Sequence, residues 1–256
     1  MKVTVIVAAH KPYAMPTDPM YLPLQVGAEG KEPIGFATDN TGEHISEKNA
    51  TFCELTGLYW AWKNLDADYV GLCHYRRHFG GKGKGEPLQR VLTEAEAVRL
   101  LEGKDGILPK KRQYYIETLY SHYEHTCHVE PLDVAGEIIR EKYPAYLPAF
   151  ERLKKRTGAH MFNMMILRRD HLDAYCAWLF DILFELERRV DATDYDAFHA
   201  RFFGRVSELM LDVWLEQNPL NVVEVPLVSP ERTNWFKKGG SFLMAKFFKK
   251  KYKKSF

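Results

Sequence analysis

Five apolar residues, Tyr69-Val70-Gly71-Leu72-Cys73, run straight into His74-Tyr75-Arg76-Arg77-His78. The apolar run has the length and composition of a buried strand. Two guanidiniums and two imidazoles then stand at its carboxyl end, which is where an open α/β sheet gathers its ligand-binding groups. A guanidinium is a planar fork of donors that suits a phosphate or carboxylate bidentately, so the stretch reads as an anion site, most naturally for a phosphate or diphosphate. An ordinary strand end with solvated arginines would look the same in isolation, and the rest of the chain has to decide between them.

Two further strand-like runs end the same way. Lys2 to Ala9 is rich in β-branched residues and stops at His10-Lys11, while Gly106 to Pro109 stops at Lys110-Lys111-Arg112. If these strands are parallel, their ends can converge in one basic cleft. Between the first two, Pro12, Pro16, Pro19 and Pro23 forbid regular structure to about Gly30. Asn49 is a good N-cap for a helix whose buried stripe is Phe52, Leu55, Tyr59 and Trp62. Thr93 and Glu96 form a capping box, and residues 117–156 read as helical, broken by Pro131 and Pro144. His160 to Leu167 reads as one buried strand, Asp170 to Arg189 as the longest helix, and Ser207 as the cap of another helix before a last strand at Val222 to Val225. Strands alternating with helices predict an α/β fold, a single mostly parallel sheet flanked by helices.

At 256 residues, 46% of them hydrophobic, the chain can bury a full core. Cys53, Cys73, Cys127 and Cys176 form no CxxC pair and read as reduced thiols of a cytoplasmic protein. The first apolar run is a strand and not a signal peptide, and no segment approaches the roughly 20 apolar residues that span a bilayer. Residues 237–256 hold eight lysines and no acid; without them the overall charge of +2 becomes −6 for residues 1–236. The tail therefore needs a partner of its own.

Histidines invite a metal reading: His74 and His78 are four apart, and His122, His125 and His128 are three apart. Yet no HExxH occurs, and no DxD follows the central strand; Asp66-Ala67-Asp68 lies before it, at the wrong end. A structural or substrate-binding role for the histidines is the better expectation. Glu208, after Ser207 at an expected helix start, should be kept ionised by the helix dipole, as suits a base or a hydroxyl-binding group; simple charge complementarity would place it there equally well.

The stretches Ile45 to Asn64 (ISEKNATFCELTGLYWAWKN), YVGLCHYRRHF, ILPKKRQY, LYSHYEH, HMFNMMILRRD and YCAWLFDILFELE together resemble a bacterial family, the domain of unknown function DUF4422. That family occurs in capsular and lipopolysaccharide gene products and is treated as glycosyltransferase-like. The resemblance runs to about residue 228 and departs at Leu209, where the family tends to carry arginine after the serine-glutamate pair. It implies a GT-A-like transferase domain over residues 1–236, with 237–256 as an appended basic tail. It further implies donor contacts from His10, Lys11, Asp39, Asn49, Glu54, His74, Tyr75, Lys110, His122, His160 and Asn163, the last within an FNxG-like strand. Glu208 would face the acceptor as base, and Arg76 and Arg77 would neutralise the leaving diphosphate, helped by Lys110 or His122.

On this reading the donor is a UDP-sugar, first UDP-galactofuranose or UDP-galactose, and the acceptor a polysaccharide or lipid-linked oligosaccharide. No cofactor is expected, a divalent metal staying open. A His-rich metal-dependent phosphoester hydrolase and a non-catalytic sugar- or nucleotide-binding module are the alternatives. In the tail, Leu243, Phe247, Met244, Phe248 and Tyr252 would line one side of a helix and lysines the other, the pattern of a peripheral anchor on the anionic inner face of the cytoplasmic membrane. Nucleic acid is not an expected partner, because the body is acidic and carries no recognisable binding motif.

Overall fold

The computed structural model describes residues 1–231, so the tail and its expected amphipathic helix lie outside the described residues. In chain order the strands and helices are β1 (Val3–Ala9), β2 (Tyr21–Gln25), β3 (Ala37–Thr38), α1 (Asn49–Phe52), α2 (Leu55–Asn64), β4 (Tyr69–His74), β5 (His78–Phe79), α3 (Glu94–Leu100), β6 (Gly106–Pro109), β7 (Arg112–Gln113), α4 (Leu119–Thr126), α5 (Glu130–Lys142), α6 (Leu147–Lys155), β8 (Gly158–Ala159), β9 (Met165–Arg168), α7 (Arg169–Arg189), α8 (Phe202–Gln217), β10 (Val222–Val225) and β11 (Leu227–Val228).

Seven strands form one sheet in the order β10-β6-β9-β4-β1-β2-β3. All its pairings are parallel except those of β9, which runs antiparallel between β4 and β6. Two small antiparallel ladders, β11 with β5 and β7 with β8, sit beside it. Because β9 runs backwards, its amino end shares a sheet edge with the carboxyl ends of β1, β4 and β6. The alternation of side chains along each strand explains the two-layer core. In β1, Ile6 and Ala8 face the layer that holds α2, α5, α7 and α8, whereas Val3, Val5 and Val7 face the smaller layer with Ala97 and Leu101. Both faces of the sheet are covered, which is why its strands read as nearly continuous apolar runs.

Gly71 lies where β4 and β9 pass closest: a Cβ there would sit 2.7 Å from the Met165 carbonyl oxygen and 2.8 Å from Ile166 Cγ1. Gly71→Ala is expected to cost about 1–3 kcal/mol by overpacking. Thermal unfolding should show it as a midpoint several degrees lower, whereas an unchanged midpoint would mean that the two strands can separate freely.

Four local expectations need correction. The proline-rich segment is not wholly irregular: Pro23 lies within β2, in register with Val7. It is tolerated because β3 pairs only with Leu24 and Gln25, leaving Pro23 without a ladder partner on that side. Asn49 is the first residue of α1 rather than its cap, and the helix breaks at Cys53, whose φ is 55°. Its amide instead donates to the Cys53 carbonyl (2.7 Å) and to Thr56 Oγ1 (3.2 Å), bridging the break. Residues 160–167 are not one strand; β9 begins only at Met165, after a turn in which Phe162 (φ 75°) and Asn163 (φ 53°) are both left-handed. Finally, α8 begins at Phe202, so Ser207 and Glu208 lie inside it and Ser207 caps nothing.

Candidate active site

The carboxyl ends of β1 and β4 lie side by side, with Val7 opposite Cys73 and Ala8 opposite His74. That register puts His10-Lys11 against His74 to Arg77. The buried ring of Tyr75 is the hub: His10 (5.4 Å) and Tyr13 (4.9 Å) meet it edge-on. The Lys11 ammonium lies 5.6 Å and the Arg76 guanidinium 5.4 Å from the same ring. The cations lie over an aromatic face, a contact with the ring quadrupole, and the Glu231 carboxylate borders the group by accepting from the Tyr13 hydroxyl at 3.1 Å. His10 is held below its ordinary value by partial burial and then by the charges of Lys11, Arg201, Arg76 and Lys31.

A second group is built on the left-handed turn. The Arg77 guanidinium lies over the Phe162 ring at 4.3 Å, and Arg112 approaches the same ring at 5.6 Å. Arg112 also covers Tyr114 (4.8 Å), which packs at 4.1 Å on His122. Burial lowers the Arg77 pKa, Glu208 opposes that shift, and Arg76 and Arg112 add to it.

Between the two groups stand two carboxylates in unequal surroundings. Glu54 accepts from Asn163 Nδ2 at 2.7 Å and faces His74 Nε2 at 3.5 Å. Burial would raise its pKa, but His74 and Asn163 outweigh that and hold it at about 2. Asn163 also donates to the Gly204 carbonyl (3.0 Å), tying the turn before β9 to α8. Glu208 lies one turn further along α8. Burial, and then the charge of Glu54, push its pKa up to about 7 against the pull of Arg77, Arg112 and His74. The expectation that the helix dipole keeps Glu208 ionised is therefore overturned: the helix starts too far upstream for its end to act, and burial beside a fixed anion dominates. A pair of acids driven apart in this way separates a permanently charged carboxylate from one able to exchange a proton near neutrality.

The other residues singled out from sequence fall elsewhere. Asp39 is fully buried, and its two oxygens are taken up by the amides of Gly27 (2.8 Å) and Ala28 (3.0 Å) and by the hydroxyls of Ser46 and Thr56. It shapes the loop after β2 and presents no oxygen to a ligand. His160 is locked between Asp212 (2.8 Å) and Glu224 (2.9 Å), with its amide on Asp212 as well, so both ring nitrogens are engaged in holding β10 against the turn. Lys110 is exposed past the end of β6. His122 stands at the rim, paired through Nδ1 with Glu117 at 3.0 Å. Among the described residues, no cluster of three or more His, Cys, Asp or Glu side chains is arranged to hold a metal ion.

Several members of the site carried little signal in the sequence. Phe162 looked like one more core residue in an apolar run. Arg112 appeared only as the end of a basic triplet. Arg201, whose Nε donates to Cys53 Sγ at 2.9 Å, had no distinguishing context at all.

The structure is similar to a solved glycosyltransferase, the WbbM bifunctional glycosyltransferase in its apo form. The TM-score is 0.83 and the identity 31%, over 91% of this chain and 46% of that one. This chain thus spans about half the length of the protein it matches. The fold is accordingly of the GT-A-like α/β kind. No curated protein matches the chain. The model of the family described as Domain of unknown function (DUF4422) matches residues 4–219, and the chain belongs to that family.

Proposed function

We propose that this protein is a glycosyltransferase that moves a sugar from a nucleotide-diphosphate donor, a UDP-sugar, to a saccharide acceptor. The observation that carries the reading is the carboxylate pair Glu54 and Glu208, flanked by the Arg76 and Arg77 guanidiniums at the carboxyl end of a GT-A-like sheet. In the reaction the bond between the anomeric carbon and the diphosphate breaks while the acceptor oxygen bonds to that carbon. Glu208 takes the acceptor hydroxyl proton, for which a pKa near the working pH is well matched. Arg76 and Arg77 receive the charge that develops on the departing diphosphate. Glu54 stays ionised, positions Asn163 beneath the donor sugar and keeps the proton affinity of Glu208 high. His10, Lys11 and Tyr75 border the nucleotide, and Lys110 and His122 extend the basic rim. Asp39 and Asn49 act indirectly, by shaping the loop after β2 and the helix break that face it. His160 contributes by bracing the turn that carries Asn163.

Thermal shift tests the donor class. UDP should raise the unfolding midpoint more than UMP, because the second phosphate meets the arginines, and EDTA should leave that difference intact. Equal shifts with UMP and UDP would sink the diphosphate assignment, and a loss of stability or activity in EDTA would favour a metal-dependent hydrolase. UDP release measured across a donor panel, beginning with UDP-galactofuranose and UDP-galactose, then separates a transferase from a binding module.

No helix among the described residues is long and apolar enough to cross a membrane. For the lysine-rich segment 241–256 we keep the proposal of a peripheral, electrostatic anchor at the inner face of the cytoplasmic membrane, where lipid-linked acceptors would be met. Deleting it is expected to remove most salt-sensitive sedimentation with anionic vesicles, at about 1 kcal/mol per lysine near the surface, and to spare turnover on a soluble acceptor. Undiminished, salt-resistant binding after the deletion would rule that anchor out.

A further inference from the structure

Among the described residues, the large apolar side chains that face solvent are Met1, Tyr115 and Ile116. The last two are adjacent, 85% and 70% exposed, at the tip of the loop between β7 and α4. The loop's base is firmly held. Arg112 and Gln113 pair with Ala159 and Gly158, the Tyr114 amide donates to the Thr157 carbonyl (2.7 Å), and the Leu119 amide donates to the Arg156 carbonyl (2.7 Å). Just behind the tip, buried Glu117 contacts His122 (3.0 Å) and His125 (2.8 Å) with its two oxygens. A stiff base therefore carries a protruding apolar tip.

The tip is an unusual choice of residues for a turn. Tyr115 has a φ of 58°, a region that suits glycine or asparagine, and the Ile116 amide closes a tight turn onto the Tyr114 carbonyl (2.6 Å). A polar tip would cost less strain and expose no apolar surface. Strain kept at an exposed aromatic residue points to work done outside the fold.

The charges alongside indicate what the tip meets. Residues 110–116 read KKRQYYI, three cations and no acid; Lys110 and Lys111 are exposed, Lys111 at 3.9 Å from Asp212, while Arg112 lays its guanidinium over Tyr114 and Phe162. An uncharged saccharide would use the tyrosine ring but gives no reason for the isoleucine or for the cations. An anionic bilayer accounts for all of them: the aromatic and aliphatic side chains suit the interfacial layer, and the cations suit the headgroups. We propose that the 110–116 loop is a membrane-contacting tip, with Tyr115 and Ile116 inserting into the interface of an anionic bilayer and the Lys110 and Lys111 ammoniums at its base meeting the phosphates. The contact is distinct from the lysine-rich terminal segment and does not depend on the transfer reaction. Since the loop follows β6, whose carboxyl end borders the cleft, it would set the cleft mouth beside the lipid surface.

The test uses the full-length chain. The four native cysteines are buried, so Ile116→Cys offers one accessible thiol for an environment-sensitive fluorophore. Asp66→Cys, exposed before β4 at the opposite end of the sheet, is the control. On mixed phosphatidylcholine–phosphatidylglycerol vesicles, the label at 116 should shift to the blue and be quenched by brominated acyl chains, while the label at 66 should not. The double variant Tyr115→Ser, Ile116→Ser should partition about tenfold more weakly. The proposal is overturned if the vesicle-bound protein keeps its label at 116 open to aqueous iodide, since another segment would then do the binding. It is equally overturned if that label responds to an acceptor oligosaccharide, or to protein concentration without lipid, and not to vesicles.

Discussion

Glutamine in place of Glu208 is expected to lower turnover about 100-fold or more, the scale of a lost general base, while changing UDP affinity only a few-fold. The same substitution should stabilise the fold at alkaline pH. The sign follows from linkage. The folded-state pKa of Glu208, about 7, lies above its ordinary value of 4.5, so the native state binds the proton more tightly than the unfolded chain does. Its contribution is neutral below about pH 4.5, and it becomes increasingly destabilising as the pH rises towards 7 and the carboxylate must ionise beside Glu54. Removing the ionisable group should return about 1–3 kcal/mol at pH 8 and almost nothing at pH 4. Turnover of the wild type should rise with pH through about 7. Glu54→Gln, which removes a neighbouring negative charge, should move that midpoint down. Calorimetry at the two pH values and a pH–rate profile check these outcomes. A Glu208→Gln protein that turns over normally would remove Glu208 from the chemistry. One that loses binding and turnover in equal proportion would make it a structural carboxylate.

Arg76→Ala and Arg77→Ala are each expected to cost about 2–4 kcal/mol of transition-state stabilisation, roughly 30- to 1000-fold in turnover, with the fold retained by far-UV circular dichroism. The two should differ in a second respect. Arg77 is half-buried on Phe162 and is the strongest of the cations that pull the Glu208 pKa down. Its removal should therefore move the midpoint of the pH–rate profile upward. Arg76 stacks on Tyr75 in the other group of the site, and its loss should move that midpoint less. Wild-type turnover in both variants would place the diphosphate elsewhere, and a collapsed spectrum would make the arginines part of the core.

The strands that organise the site were legible before any coordinates. In β1, β4 and β6 a run of apolar residues buried on both faces ends at a cation, and a period of two covered by two layers leaves little else for such runs to be. The long helix α7 was equally plain, because its apolar positions recur with the helical period over six turns. Elements set by a local competition were less so. Whether Pro23 breaks a strand depends on which side of it is paired, and that is a property of β3, not of Pro23. Where α8 begins depends on the packing of Phe203 on Phe52 and of Phe202 on Phe203, well before the Ser207 that resembled a cap.

By itself the sequence determined the α/β architecture, the basic strand ends and the family to which the chain belongs, since periodicity and charge are carried by neighbouring residues. Only the tertiary structure decided how the site residues divide. It turned Asp39 inward onto partners up to 17 positions away and His160 onto partners 52 and 64 positions away, and made them struts. It brought Phe162 within reach of both Arg77 and Arg112 through two successive left-handed residues, a conformation that the apolar run around Phe162 does not announce. It also reversed the expected state of Glu208. A carboxyl pKa is set by burial and by the nearest charges, and here those come from Glu54, His74, Arg77 and Arg112, at least 96 residues away in the chain and adjacent only once the sheet has closed.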